Sequence, residues 1–475
     1  MTPLLPLYQR LADDIASQIA AGTLRHGDRL PSLRELRARR QVSLSTVQQA
    51  FRLLEDRGLI EARPQSGFYV RPRRPTPPSP PALPVPVPVT VDPLLWQYVQ
   101  VHTQEADCGM GGFRSATPSA AHLPLAAISR LMSDTVRRQP ELLADYGHPA
   151  GAIELRRQIA RQAMEWGGRF AVDDIVVTHG ALEALNLCLR ALTRPGDVVA
   201  IESPAYYTLL RCLETLGLQA LEIPTDPQTG ISLDALEQAT RNGAVQAVVL
   251  VPNFSNPLGS LMPDEVKARL ASLLAARDIP LIEDDIYGEF HFGPRRPRPV
   301  KAFDTAGNVL YCASLTKNVA PGLRVGWVEA GRFRASVELQ KYIGTHSTSR
   351  LSQVVLARFL ENGGYARHMR AFRRALASQM RMLTAAVREH FPAGTRISEP
   401  QGGFVLWLAL PEPFDSVELF HAAIAEGIDF APGPLFSPCG GFRNCLRLSG
   451  AAPWNAGQAA RLARLGELAR RQRQG

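Results

Sequence analysis

Only four lysines occur in these 475 residues: Lys267, Lys301, Lys317 and Lys341. Lys317 stands in Ser314-Leu-Thr-Lys317, followed by Pro321-Gly-Leu-Arg324-Val-Gly326. Four further polar motifs precede it in the chain: Thr178-His-Gly-Ala181-Leu182-Glu-Ala, Glu202-Ser-Pro-Ala-Tyr206-Tyr, Pro252-Asn-Phe-Ser-Asn256-Pro-Leu-Gly and Glu283-Asp284-Asp285-Ile-Tyr287-Gly-Glu-Phe. A lysine amine forms imines with carbonyl compounds. An acid can keep a pyridine nitrogen protonated, amide and phenol groups can bond an oxyanion, and an aromatic ring can stack on a planar ligand. A helix N-terminus with nearby hydroxyl and basic groups holds phosphate. Those are the needs of pyridoxal 5′-phosphate (PLP), and every role has a candidate. Ser314-Leu-Thr-Lys317 also fits the Ser-x-x-Lys of β-lactamases, but no Lys-Thr-Gly accompanies it.

The elements needed to position these groups are legible. From residue 146 onward short apolar runs alternate with helical patterns. Ile175–Thr178, Val198–Ile201, Ala247–Val251, Leu281–Ile282, Val309–Cys312 and Val325–Val328 read as buried strands; Ala181–Leu192 and Asp264–Ala276 have helical spacing. Such alternation predicts an α/β domain with a mostly parallel sheet. The motifs follow the strands, where sheets of this kind bind ligands.

Over residues 109–475 the motifs together resemble the fold type I PLP enzymes, the class I and II aminotransferases, whose fold adds a smaller C-terminal subdomain. The resemblance implies that Lys317 carries the cofactor as an imine and that Asp284 pairs with the pyridinium nitrogen. It implies that Asn256 and Tyr287 bond the phenolic oxygen and that Tyr206 stacks on the ring. Ala181 and Leu182 at a helix start, Ser314 and Arg324 would hold the phosphate, and Tyr146 would reach that of a partner subunit. Arg447, in Cys-Leu-Arg-Leu-Ser, would grip the carboxylate of a substrate or effector.

The first 71 residues have a different character. Leu7, Leu11, Ile15 and Ile19 form the stripe of an amphipathic helix that Gly22 and Gly27 end. Ser32 and Glu35 make a capping box for a second helix. Ser43 caps a third, with Val47, Ala50, Phe51 and Leu54 on one face and Ser45, Gln48, Gln49 and Arg52 on the other, ending at Gly58. Leu59–Arg63 and Phe68–Arg71 then flank Pro64-Gln-Ser-Gly67, a hairpin signal. Three helices and a hairpin make a winged helix-turn-helix, an α+β fold. Its third helix would read bases through Ser45, Gln48, Gln49 and Arg52, with Ser43 and Thr46 beside them at its start. Arg34, Arg37, Arg39 and Arg40 could hold phosphates. Residues 7–71 resemble the GntR-type winged helix, with one departure: Leu44 stands where many members carry a basic residue.

Charge and composition agree with two domains. Of the net charge of +9, an excess of six lies in residues 1–74, where thirteen arginines face seven carboxylates. That asymmetry suggests a polyanionic partner. Residues 72–88 hold nine prolines in seventeen positions, a polyproline II spacer of roughly 50 Å at about 3.1 Å per residue. The expected organisation is therefore a DNA-binding head (1–71), a proline-rich linker (72–108) and a PLP-binding body (109–475).

Six scattered cysteines without a CxxC pair suggest neither a metal site nor a disulfide framework and fit a reducing cytoplasm. No secretory signal or membrane span is expected. A GntR-type head on an aminotransferase-like body resembles the MocR subfamily of bacterial regulators. This implies a head-to-tail homodimer that binds double-stranded DNA and senses PLP or an amino compound. The alternative is a working aminotransferase carrying a DNA-binding head.

Overall fold

The computed structural model describes residues 6–20, 24, 27–63, 66–71, 85–89, 94, 98 and 112–472. Residues 72–84 of the proline stretch, Gly22, the Pro64-Gln65 turn and Cys108 lie outside them. The chain divides into two compact units, residues 1–75 and 76–475.

In the first unit, helices α1 (Leu7–Ala20), α2 (Leu33–Arg40) and α3 (Leu44–Asp56) precede a hairpin of β1 (Ile60–Arg63) and β2 (Gly67–Val70). The Ser32–Glu35 capping box forms in both directions, at 3.2 and 2.8 Å, satisfying amides that a helix start leaves orphaned. Leu11, Ile15, Leu36, Val47, Ala50, Phe51, Leu54, Ile60 and Val70 close one core, in which Phe51 meets the Phe68 ring edge-on at 4.8 Å. Leu7, expected in the buried stripe, is exposed instead. It is the first residue of its helix, where little of the unit lies over it.

The second unit is built on a nine-stranded sheet. Its strands are β3 (Val87–Pro88), β4 (Ile175–Thr178), β5 (Val198–Ser203), β6 (Gln219–Asp226), β7 (Gly230–Ile231), β8 (Val245–Leu250), β9 (Leu281–Asp284), β10 (Val309–Ser314) and β11 (Gly326–Glu329). They lie in the order β3-β6-β5-β8-β9-β10-β11-β4, with β7 paired to β6. The inner run from β6 to β10 is parallel, while β11 runs antiparallel to both β10 and β4. A smaller antiparallel sheet follows, in the order β12 (Arg396–Ile397), β13 (Val405–Ala409), β15 (Cys445–Ser449), β14 (Ala431–Pro432).

Among the strands that the sequence reading did not name, two show why. The run Gln219–Asp226 forms a full strand although Glu222 and Pro224 break its apolar pattern; Ser203 and Ser437 hydroxyls donate to the Glu222 carboxylate at 2.8 and 3.2 Å. Val87–Pro88, inside the stretch read as linker, pair with Ala220 and Gln219 at the sheet edge. A sheet edge tolerates proline readily, because no ladder donor is required on its open side.

Candidate functional site

The topology brings the dispersed motifs to one edge of the large sheet. Because β11 is antiparallel, its first residue lies beside the last residues of its neighbours: Gly326 pairs with Ser314 of β10 and with Thr178 of β4. Arg324, just before β11, thereby comes next to the turn after β4, where its Nη2 donates to the His179 carbonyl at 3.0 Å. That turn is Gly180 at φ 82, a left-handed conformation glycine adopts at little cost, and helix Ala181–Leu192 starts immediately after it. A Cβ on Gly180 would lie 2.9 Å from the Arg324 guanidinium. A Cβ on Gly326 would lie 2.5 Å from the backbone of Gly180. Ala181, Leu182, Ser314 and Arg324 thus form a cradle of helix-start amides, a buried hydroxyl and an exposed guanidinium.

Asp284 ends β9 and is buried. Desolvation raises its carboxyl to about 7, with Asp285 adding to the rise and Lys317 opposing it. Lys317 lies three residues past β10. Burial brings its amine down to about 8, helped by Arg447 and Arg324 and countered by Asp284. Burial shifts Glu202, Glu283 and Lys267 comparably, so what distinguishes Asp284 and Lys317 is that they share one site with the anion cradle. The neighbouring acids are otherwise engaged. Asp285 accepts from Asn253 Nδ2 and the Tyr311 hydroxyl, both at 2.8 Å, and pairs with Arg296. Glu283 accepts from the amides of Val300 and Lys301 at 2.7 and 2.8 Å.

Asn256 Nδ2 donates to the Tyr287 hydroxyl at 3.2 Å, and its Oδ1 accepts from Arg447 Nη1 at 3.1 Å. Arg447, on β15, is wholly buried and lies over the Phe436 ring at 5.4 Å. Its Nη2 donates to the Arg114 carbonyl and, at 3.5 Å, to the Tyr98 hydroxyl. Tyr206 stands at the start of helix Tyr207–Thr215, its ring centroid 4.8 Å from that of Tyr207. Tyr146 is the one expected site residue that stays apart: it is 80% exposed, beside His346 at 5.4 Å.

The donor set fits PLP. An amine, a buried acid, a phenol–amide pair and an anion cradle converge at one edge, and the Thr316 hydroxyl of the Ser314–Lys317 turn is buried without a hydrogen-bond partner among the described residues. Sequence reasoning missed several contributors. Tyr98, Arg114, Ala116 and Thr117 reach the site, and the Arg114–Asp429 ion pair at 3.1 Å is fully buried. No motif marks them.

In the first unit the polar face of α3 is open. Ser45, Gln48, Gln49 and Arg52 are exposed, as is Arg34 on α2. Ser43 caps the helix by accepting from Thr46 N at 3.1 Å, and its hydroxyl bonds those of Ser45 and Thr46 at 2.8 and 2.7 Å. Leu44 is 38% exposed at the helix start. Arg40 is paired with Asp14, so Arg34, Arg37 and Arg39 are the better placed of the expected phosphate contacts.

An expected result follows for Asp284. A carboxyl raised to about 7 by the fold, from about 3.9 in an unfolded chain, binds more protons folded than unfolded. Its contribution to stability is therefore present below about pH 4 and lost as pH rises toward 7. Asp284→Asn should flatten that part of the stability profile, measured by urea denaturation across pH, and should weaken PLP binding, measured by equilibrium titration. An unchanged profile with unchanged PLP affinity would exclude Asp284 from the role.

Residues 118–464 match the aminotransferase class I and II family, and residues 7–70 match the bacterial regulatory proteins of the gntR family. The chain is 39% identical over 461 residues to each of two uncharacterised HTH-type transcriptional regulators of Escherichia coli, YjiR and YdcR. These alignments cover 97% of this chain and 98% of each relative. Among solved structures it is similar to LysN, the α-aminoadipate aminotransferase of Thermus thermophilus, which was crystallised with N-(5′-phosphopyridoxyl)-L-leucine. The TM-score is 0.73 at 26% identity, covering 78% of this chain and 95% of that one. The multiple substrate aminotransferase of Thermococcus profundus shares the fold at a TM-score of 0.75 and 23% identity, over 81% of this chain and 96% of that one.

Proposed function

We propose, for a chain that belongs to the aminotransferase class I and II family and carries a gntR-family head, that it is a transcription regulator whose body senses PLP or an amino compound. The two-part architecture is that of the MocR subfamily. One observation carries the reading: a helix with an open polar face in a gntR-family head stands in the same chain as Lys317, the buried Asp284 and the helix-start cradle gathered at one sheet edge. The head would be residues 1–71 and the PLP-binding body residues 109–475, joined through 72–108.

In the body, Lys317 would hold PLP covalently, Asp284 would face the ring nitrogen, and Asn256 and Tyr287 would hold the phenolic oxygen. Tyr206 would lie against the ring. Ser314, Arg324 and the amides of Ala181 and Leu182 would take the phosphate. Bound there, PLP supplies an electrophilic carbon for amines and a ring that accepts electrons. Arg447 would orient the carboxylate of an amino compound. The exposed Tyr146 suits a contact with a second copy, and Leu339, Tyr342 and Ile343 stand exposed on helix Arg334–Thr345, whose Tyr342 also touches His346. A head-to-tail homodimer is the assembly we infer.

In the head, Gln48, Gln49, Arg52 and Ser45 would meet base edges, with Ser43 and Thr46 at the helix start and Arg34 on phosphate. No helix among the described residues is long and apolar enough to cross a membrane; a cytoplasmic place is part of this proposal. The alternative, a working transaminase with a DNA-binding head, draws on the same body but gives DNA binding through the open α3 face no part in its activity.

The test is a binding titration against DNA from upstream of the protein's own gene and its neighbours, with random DNA as competitor, repeated with PLP and amino compounds. Preference for one fragment, altered by a small molecule, is the expected result. No preference in any fragment under any condition, together with measurable transaminase turnover, would replace the regulator reading by the enzyme reading.

A further inference from the structure

Lys317 and Arg447 hold the same short stretch of chain. The Lys317 amine donates to the Ala116 carbonyl at 2.8 Å and to the Thr117 hydroxyl at 3.2 Å. Arg447 Nη2 donates to the Arg114 carbonyl and to the Tyr98 hydroxyl. Arg114 in turn donates from Nη1 to the Tyr98 carbonyl at 2.6 Å and lies over the Tyr98 ring at 4.9 Å. On its other side the stretch is pinned to the smaller subdomain. Phe113 N donates to the Asp429 carbonyl at 2.9 Å, and Ser449 N of β15 donates to the Phe113 carbonyl at 2.6 Å.

A guanidinium grips a carboxylate through one of two forks, Nε with Nη2 or Nη1 with Nη2. Both forks of Arg447 need Nη2, and Nη2 spends its hydrogens on Arg114 and Tyr98. Nε is buried and has no partner among the described residues. Leaving a buried donor unpaired is unfavourable, so this half-used fork is a seat that a second oxygen would complete.

We propose that Gly112–Thr117 with Tyr98 forms a strap that competes with ligand: the Arg114 carbonyl and the Tyr98 hydroxyl occupy the carboxylate seat of Arg447, and a carboxylate-bearing amino compound enters by releasing them. The inference rests on the function proposed above in taking Arg447 as the carboxylate grip and Lys317 as the cofactor lysine. Both ligands then weaken one element, because a Lys317 nitrogen committed to cofactor no longer donates to Ala116 and Thr117. In sequence the strap follows the proline stretch, whose Val87–Pro88 pair with the sheet edge, and Leu94 between that stretch and Tyr98 is buried in the body's core. The strap supplies two states with different ligand affinity, which regulation by a ligand requires.

The test is hydrogen exchange on the full-length protein, read on peptides covering residues 112–119 and the amide of Ser449. Arg447→Lys, which keeps the charge but loses the forks, should speed exchange there by roughly tenfold or more, as expected for local opening. Loading with PLP should speed it as well. So should any common L-amino acid that shifts the visible band of the loaded protein, while its decarboxylated amine should not add to the effect. A merely structural contact would show the reverse, protection on ligand binding, and that result overturns the strap. Unchanged exchange in Arg447→Lys overturns it too, as does a normal band that no amino acid shifts. Should Arg447→Lys fail to fold, Tyr98→Phe serves: it removes one competitor and should lower the midpoint for the amino acid, whereas a raised or unchanged midpoint rejects the proposal. Absence of any PLP band would instead sink the cofactor reading, with the Arg447→Lys comparison still deciding the strap.

Discussion

Protein carrying Lys317→Ala is expected to show none of the visible absorption that PLP gives when linked to the wild type. The expected loss is complete because no other lysine can substitute. Lys267 is fully buried and donates to Asn253 Oδ1 at 2.7 Å and to the Arg298 carbonyl at 2.6 Å. Lys301 is held by Glu329 at 2.6 Å and by the Val309 carbonyl at 2.7 Å. Lys341, also fully buried, is held by Glu183 at 2.7 Å. Lys317 alone shares a site with Asp284 and Arg324, and its amine, brought down to about 8 by burial, is partly neutral and nucleophilic near pH 7. The check is an absorption spectrum with borohydride reduction and mass mapping of the labelled peptide. A retained band, or label on another lysine, would end the assignment.

Replacing Gln48, Gln49 and Arg52 together by alanine should abolish preference for the operator while leaving weaker, salt-sensitive DNA binding. Each lost bidentate base contact costs about 1–3 kcal/mol, so a loss of roughly fivefold to a hundredfold per contact made is expected. The three side chains are exposed on α3, opposite the buried Val47, Ala50, Phe51 and Leu54, so the head core is untouched. Arg34, Arg37 and Arg39 should keep the phosphate-driven component and its salt dependence. PLP binding should be unchanged. Specific and random DNA compared by fluorescence anisotropy at several salt concentrations decide the matter. A variant that still discriminates would move base reading away from this face.

How much of this could be read from the residues alone differs between the two units. In the head nearly everything is local. Capping boxes, helix stops and hairpin signals act over three or four residues, and the faces of α3 follow from its period, so Val47, Ala50, Phe51 and Leu54 were legible as core and Ser45, Gln48, Gln49 and Arg52 as open face. Leu7 escaped because a period says which side a residue lies on, not whether anything covers it. In the body, helices Ala181–Leu192 and Asp264–Ala276 and the buried parallel strands were legible for the same local reason, and the motifs announced themselves by residue type.

The arrangement of those motifs was not local. That Arg324 meets the turn after β4 follows from the antiparallel β11 lying between β10 and β4, a register set by strands far apart in sequence. The choice between Asp284 and Asp285 rested on resemblance until the partners of each were visible: Arg296, Tyr311 and Asn253 claim Asp285 and leave Asp284 with Lys317. The role of Tyr98, Arg114 and Ala116 had no signature at all, because two of the groups concerned are backbone carbonyls, which every residue carries alike. Chain chemistry by itself determined which side chains can hold a cofactor and read DNA. Only the tertiary structure decided which of them share a site, since burial and long-range pairing, not residue type, set what each group faces.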